Sequence, residues 1–365
     1  MRVMFYYSAP VWTGGARVFV AAARGLAARG YQVTFACRGG GPVEARAAAE
    51  GCDVVALETS GPIVSRGWRL QRLLTERFIE TVFVHTEQEQ LDVSLAMRIA
   101  ARGGVVRRVP AGTRPAVGRA TSVALRLATG GFVFTTQPEA DAVPRPARAR
   151  DPVVADLGVD VSRYDELRAV PLVALGATSA DAKLIVCAYD ASGKAQVATV
   201  LRTLALLAPR HPELHLAILG AESTDEDLKM HAASLGLGRR VAYLGERDDD
   251  FAVLQAAHLG WVVATEDTGG FTSLDMMAMG IPVLADRGTV AGRYLADGIT
   301  GTLVNPGDTP GTAAVVAELL AQDDRRRAMG SAGRARVARE YTETAMIDAL
   351  QEAADSARDR TRWQA

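Results

Sequence analysis

Apolar residues fall into short continuous runs along the chain, separated by amphipathic stretches. Val3–Tyr7 is such a run. A helical pattern follows over Ala16–Arg29, with Phe19, Ala22, Leu26 and Ala27 on one face. Gln32–Cys37 reads as the next strand. The alternation continues through Glu44–Glu50, Val54–Ala56, Trp68–Glu80, Thr81–His85, Asp92–Arg102, Val105–Val109, Arg119–Ala128 and Phe132–Thr136. Short apolar strands without inside–outside alternation, each followed by a helix, predict a parallel sheet covered on both faces. The next stretch is less regular: Pro144–Pro152 is rich in Pro, Ala and Arg, and Ser162–Ser179 has no clear period. A second series then runs through Leu184–Ala188, Gln196–Leu207, Leu214–Leu219, Asp225–Leu235, Val241–Leu244, Phe251–Ala257, Leu259–Val263, Phe271–Met279 and Val283–Ala285. The tail, Arg325–Ala357, carries three further segments of helical period.

The pattern predicts an α/β protein with two Rossmann-like, doubly wound domains facing a central cleft. Residues 1–165 would form the first domain and 166–340 the second. A helix over 341–365 would pack back on the first. Ligands of such sheets bind beyond the carboxyl ends of the strands.

Composition narrows the classes. With 365 residues, 48% hydrophobic and 23% charged, the chain suits two domains that bury enough apolar surface to fold without staples. A net charge of −1 excludes a globally basic nucleic-acid binder. Cys37, Cys52 and Cys187 form no CxxC pair, so a cysteine-rich zinc site is not expected and a reducing cytoplasm is the default. No apolar run reaches the roughly 18 residues of a membrane span, and Met1–Trp12 reads as a first strand rather than a leader. The charge is uneven. Residues 1–165 carry 21 basic and 15 acidic side chains, and the remainder 20 and 27. Lys183, Lys194 and Lys229 are the only lysines, which makes a lysine at a site position informative.

Two glycine-bearing turns stand out. Thr13-Gly14-Gly15-Ala16 follows the first strand and opens a helix. Glycine there allows close approach of a ligand, and the helix start offers N–H groups to an anion; a plain strand-to-helix turn explains it equally. The other is Asp267-Thr268-Gly269-Gly270-Phe271-Thr272-Ser273-Leu274-Asp275, ending in the turn Gly280-Ile281-Pro282. Read as a Gly-Gly turn into a helix, it presents amides and two hydroxyls to a diphosphate, and two carboxylates suited to sugar hydroxyls. The alternatives are a turn aspartate at 267 and a solvated helix position at 275.

These marks in series resemble the glycosyltransferases of family 4, with the GT-B fold. The resemblance rests on the Gly14-Gly15-Ala16 loop, on Gly158-Val159-Asp160 with Tyr164, on the 267–285 stretch, and on Asp297-Gly298-Ile299-Thr300-Gly301. It implies transfer of a sugar, hexosyltransferase-like, from a nucleotide diphosphate sugar to an acceptor. The anomeric configuration would be retained, and no metal or other cofactor is needed. Asp267 would face the donor sugar and Asp275 the ribose, each one methylene shorter than the family's glutamates. Lys194, Gly270, Phe271, Thr272 and Ser273 would hold the diphosphate, with Gly14 and Gly15 closing from the first domain.

The chain departs from the family at several positions. Ala188 and Tyr189 stand where a Gly-Arg pair is usual. Val106–Pro110 lacks the family's histidine, leaving Arg107 and Arg108 as candidate charge on the acceptor side; a solvated edge is their plainer explanation. Arg293 stands where a glutamate is common, as a replacement for the missing diphosphate arginine, and Arg247 lies where the base is expected unless it pairs with Asp248–Asp250. A second reading follows from these replacements: a catalytically weakened GT-B protein acting as a nucleotide-sugar-binding or scaffolding partner. A nucleotide-sugar epimerase fits the motif order less well.

His85 ends an N-terminal strand, where site residues belong, though a buried structural histidine explains it as well. The segment Arg66–Arg77, with Trp68, Leu70, Leu73 and Leu74, reads as a surface helix of the sheet; peripheral contact with an anionic membrane is the alternative. The acceptor is left open among glycan, lipid-linked and small-molecule classes.

Overall fold

The computed structural model describes residues 1–100, 103–113, 118–143, 151–177, 179, 181–190, 193–220 and 226–362; of Thr129, Lys194 and residues 359–362 it describes the backbone alone. The chain divides into two compact units, one of Met1–Leu157 with Glu343–Ala365, the other of Gly158–Thr342.

The first unit is built on seven strands: β1 (Arg2–Tyr7), β2 (Gln32–Arg38), β3 (Val54–Leu57), β4 (Thr81–Val84), β5 (Gly104–Arg108), β6 (Thr129–Phe134) and β7 (Val153–Val154). They pair in parallel in the order β3-β2-β1-β4-β5-β6-β7. Both faces are covered, as the apolar runs require. Met4 and Tyr6 of β1 join Leu70, Leu74, Val82, Val84 and Val93 on one side. Phe5 and Tyr7 meet Phe19 on the other, with ring centroids 5.2 and 6.3 Å apart. The helix Glu343–Arg362 belongs here. Met346, Ile347, Leu350, Ala353, Ala354 and Ala357 recur at helical spacing and are all buried. Their neighbours are the helix Gly14–Ala28 and strands β5 and β6. The entry is fixed by ion pairs from Arg24 to Glu343 and from Arg29 to Asp348, and by the Tyr31 hydroxyl donating to Asp355 at 3.0 Å.

The second unit has six strands: β8 (Lys183–Ala188), β9 (Leu214–Leu219), β10 (Val241–Gly245), β11 (Leu259–Val262), β12 (Val283–Asp286) and β13 (Gly301–Val304). They are parallel in the order β10-β9-β8-β11-β12-β13. Ile185, Cys187, Trp261 and Leu284 pack with Val197, Leu201, Leu204 and Val316 of the helices Lys194–Leu207 and Thr309–Ala321. The helix Glu266–Ala278 lies against β11, where the Met276 side chain packs on Gly260, and the helix Asp323–Glu340 packs against it in turn.

Several boundaries differ from the sequence reading. The helix expected over Phe271–Met279 starts at Glu266 and runs through both glycines. The tail forms two helices across 325–357 rather than three, broken at Tyr341–Thr342. The segment read as Trp68–Glu80 is the helix Ile63–Glu76. Strands β7 and β13 carry no legible sequence signal, one being two residues long and the other following an Asp-Gly turn. Parts of the expected Asp92–Arg102, Pro144–Pro152 and Asp225–Leu235 segments lie outside the described residues. Among the described residues no helix is long and apolar enough to cross a membrane. The helix Ile63–Glu76 buries Gly67, Leu70, Leu73 and Leu74 and leaves Val64 and Trp68 exposed.

Leu350 is fully buried. Leu350→Ala should cost the first unit about 2–5 kcal/mol, read as lost hydrogen-exchange protection in β1 and β4–β6.

Candidate functional site

In the second unit the loops after β8 and β11 are tied together by one side chain. Asp190 lies two residues beyond the end of β8. Its Oδ1 accepts from the Gly193 N–H at 3.1 Å, and its Oδ2 accepts from the Thr265 N–H at 2.9 Å and the Thr265 hydroxyl at 3.2 Å. Gly193 and Thr265 are the N-terminal flanking residues of the helices Lys194–Leu207 and Glu266–Ala278. The loops are in close contact: a Cβ at Gly193 would stand 2.4 Å from the Val263 carbonyl oxygen. Two helix starts are therefore held side by side at the carboxyl ends of neighbouring strands, where partial positive charge accumulates.

The second helix opens under strain. Glu266 has φ of +48°, a conformation that costs a non-glycine residue about 1–3 kcal/mol. The first intrahelical bond runs from the Gly269 N–H to the Thr265 carbonyl at 2.9 Å. The amides of Glu266, Asp267 and Thr268 precede it. The first turn of this helix is thus at 266–268, not at Gly270–Ser273 as the Gly-Gly pair suggests. Partial burial of the Glu266 carboxyl, with the charges of Asp267 and Asp190 beside it, raises its pKa above the ordinary glutamate range.

The other sequence-chosen residues of this unit fall into distinct places. Asp267 and Asp275 are both buried, so neither is a solvated helix position. Asp275 accepts a hydrogen bond of 2.5 Å from the hydroxyl of Tyr164, itself buried with its ring edge-on to Phe251. Asp160 caps the short 3₁₀ turn Val161–Tyr164 that delivers this tyrosine. Gly270 and Phe271 are buried. The Thr272 hydroxyl donates to the Thr268 carbonyl at 2.8 Å. Ser273 is fully buried with no hydrogen-bond partner for its hydroxyl, so it turns inward rather than toward a ligand. The Lys194 side chain lies outside the described residues, while its backbone opens the first of the two helices. Arg293 ends the short helix Val290–Arg293, which packs against the helix Glu266–Ala278; its guanidinium donates to the Tyr294 hydroxyl at 2.5 Å and lies over that ring. Arg247 is held by Asp249 through two bonds of 2.6 and 2.8 Å, the pairing foreseen as its alternative.

In the first unit Gly15 and His85 come together. A Cβ at Gly15 would stand 2.4 Å from the His85 ring. The imidazole also packs near Tyr7 and Phe19, with centroids 5.5 and 6.0 Å away. The loops bearing these residues are gathered by a buried carboxylate, Glu89. It accepts from the Ser8 N–H and hydroxyl at 2.6 and 2.7 Å, from the His85 N–H at 2.7 Å and from the Thr86 N–H at 2.9 Å. The Thr86 hydroxyl accepts from the Glu89 N–H, closing a capping box at the start of the helix Glu87–Ala100. Arg107 and Arg108 at the end of β5 are buried, contrary to a solvated edge. Arg107 reaches Gln90 and Thr121 at 3.5 Å, and burial lowers its pKa against the opposing charges of Glu87 and Glu89.

Asp190, Glu266 and Glu89 are absent from the sequence-based site. Thr86-x-x-Glu89 is a readable capping signature; Asp190 is marked only by following a strand end. Among the described residues no group of three or more His, Cys, Asp or Glu side chains is placed to hold a metal ion.

Two parallel Rossmann-like units with these loop clusters define a protein of the GT-B fold. A glycosyltransferase from Rickettsia africae has the same fold, with a TM-score of 0.80, 15% identity and 98% of each chain covered. So does HepE of Anabaena, solved in complex with UDP-glucose, at a TM-score of 0.78 and 17% identity over 98% of this chain and 100% of that one. Residues 177–336, within the second unit, match the family described as Glycosyl transferases group 1. A GDP-mannose-dependent phosphatidylinositol monomannoside mannosyltransferase of Mycolicibacterium smegmatis is 31% identical over 165 residues, 42% of this chain and 43% of that protein. The chain spans less than half the length of the curated relatives it matches.

The raised pKa of Glu266 has a testable sign. Protonated, the group carries no penalty, so its contribution favours the folded chain below the ordinary glutamate range and is lost as pH rises through the raised value. Glu266→Gln should melt above wild type near neutral pH, and the two melting curves should converge below about pH 4.

Proposed function

We propose that this chain is a glycosyltransferase that takes its sugar from a nucleotide diphosphate donor and retains the anomeric configuration without a metal. One observation carries the reading: the two helix starts joined by Asp190 lie within the segment that matches the glycosyl transferases group 1 family. Helix N-termini are fixed, preoriented dipoles. They stabilise a diphosphate most when negative charge builds on it during departure, which is how such a site lowers a barrier.

In this reading the donor diphosphate meets the amides at 194–195 and 266–268, and the Lys194 ammonium adds a full positive charge. Asp267 addresses the donor sugar. Asp275, oriented by Tyr164, addresses the ribose. His85 in the first unit serves the acceptor side, with the buried arginines at 107 and 108 setting its charge. That HepE was solved with UDP-glucose supports a nucleotide sugar as the donor class, and the mannosyltransferase relative supports a hexose.

The test is release of nucleoside diphosphate from UDP-, GDP-, ADP- and dTDP-sugars, with and without an acceptor screen. Wild type should release from at least one. Lys194→Ala should lower turnover by about a hundredfold or more, the size of effect seen when one preorganised charge stabiliser is removed. Near-wild-type turnover in that variant would take Lys194 out of the mechanism.

A further inference from the structure

We propose that Asp190 is a positioning residue for the donor diphosphate, holding the two phosphate-facing helix starts in register. The inference rests on the donor reading above. A carboxylate is a strange neighbour for a diphosphate. Two like-charged groups repel, and the local charge is already negative with Glu266 and Asp267 beside it. A bare electrostatic role would therefore weaken binding. The hydrogen bonds give a different account. Oδ1 is committed to the Gly193 amide and Oδ2 to the amide and hydroxyl of Thr265, 75 residues later in the chain. One rigid, planar group thus bridges the two helix starts, beyond the main-chain bonds from the Val263 and Ala264 N–H groups to the Ala188 carbonyl that join the strand ends before them. It also supports the turn just before Glu266, whose left-handed conformation would otherwise relax.

Both oxygens are needed as acceptors. Asparagine keeps one acceptor and turns the other into a donor facing an N–H, so it breaks one arm while removing the charge. The two accounts then predict opposite signs. If Asp190 acts only through its charge, Asp190→Asn binds the diphosphate more tightly. If it positions, Asp190→Asn binds less tightly despite the lost repulsion.

The experiment titrates UDP, GDP, ADP and dTDP, and the matching nucleosides, into the full-length chain and into Asp190→Asn and Thr265→Val. Thr265→Val removes the hydroxyl arm alone and keeps the Thr265 amide, so it guards against a folding defect in the first variant. The expected result is a Kd about tenfold higher for the preferred nucleoside diphosphate in Asp190→Asn, a smaller rise in Thr265→Val, and no change for the nucleoside. Equal or tighter diphosphate binding by Asp190→Asn overturns the proposal, as does an equal loss for nucleoside and diphosphate, which marks a general structural defect. Failure of wild type to bind any nucleoside diphosphate instead overturns the donor reading, and the positioning role with it.

Discussion

Burial of each sheet on both faces is the constraint from which the rest follows. A parallel strand covered above and below must leave its neighbourhood through a helix, and every strand-to-helix loop then emerges at the same edge. In the second unit this brings the ends of β8 and β11, adjacent in the sheet, against one another. Two helices start there, and their dipoles point the same way. Such a layout favours an anion before any particular side chain is considered. The side chains then refine it: Asp190 sets the distance, Glu266 takes the strain, and Asp275 is aligned by Tyr164.

The first unit applies the same geometry with a different fastener. Glu89, at the head of the helix Glu87–Ala100, draws in the loops after β1 and β4 and so sets the His85 ring on Gly15. In both units a carboxylate that accepts backbone amides organises the loops, while neither carboxylate belongs to the residues a motif search selects. Loops that must present groups to a substrate cannot be held by a hydrophobic core; charge-assisted hydrogen bonds donated by main-chain amides to a carboxylate supply the rigidity instead.

The architecture was legible because continuous apolar runs such as Val3–Tyr7 and Leu184–Ala188 can only be strands buried on both faces. The stripe from Met346 to Ala357 likewise announces a helix with one buried side. What escaped the sequence is long-range. Gly269 and Gly270 look like helix breakers, yet the helix passes through them because Asp190, far away in the chain, fixes its start at Thr265. Arg107 and Arg108 look solvated because the groups that accompany Arg107, Gln90 and Thr121, come from other elements. Ser273 carries a hydroxyl suited to a phosphate, but helical phase turns it into the core.

The central claim is that the paired helix starts of the second unit bind a diphosphate. Hydrogen exchange of the full-length chain, with and without saturating nucleoside diphosphate, tests it most directly. The account predicts added protection concentrated at 193–196 and 265–269, with β9 and β13 unchanged. Protection confined to other loops, or none in these two segments while the nucleotide is bound, would contradict it.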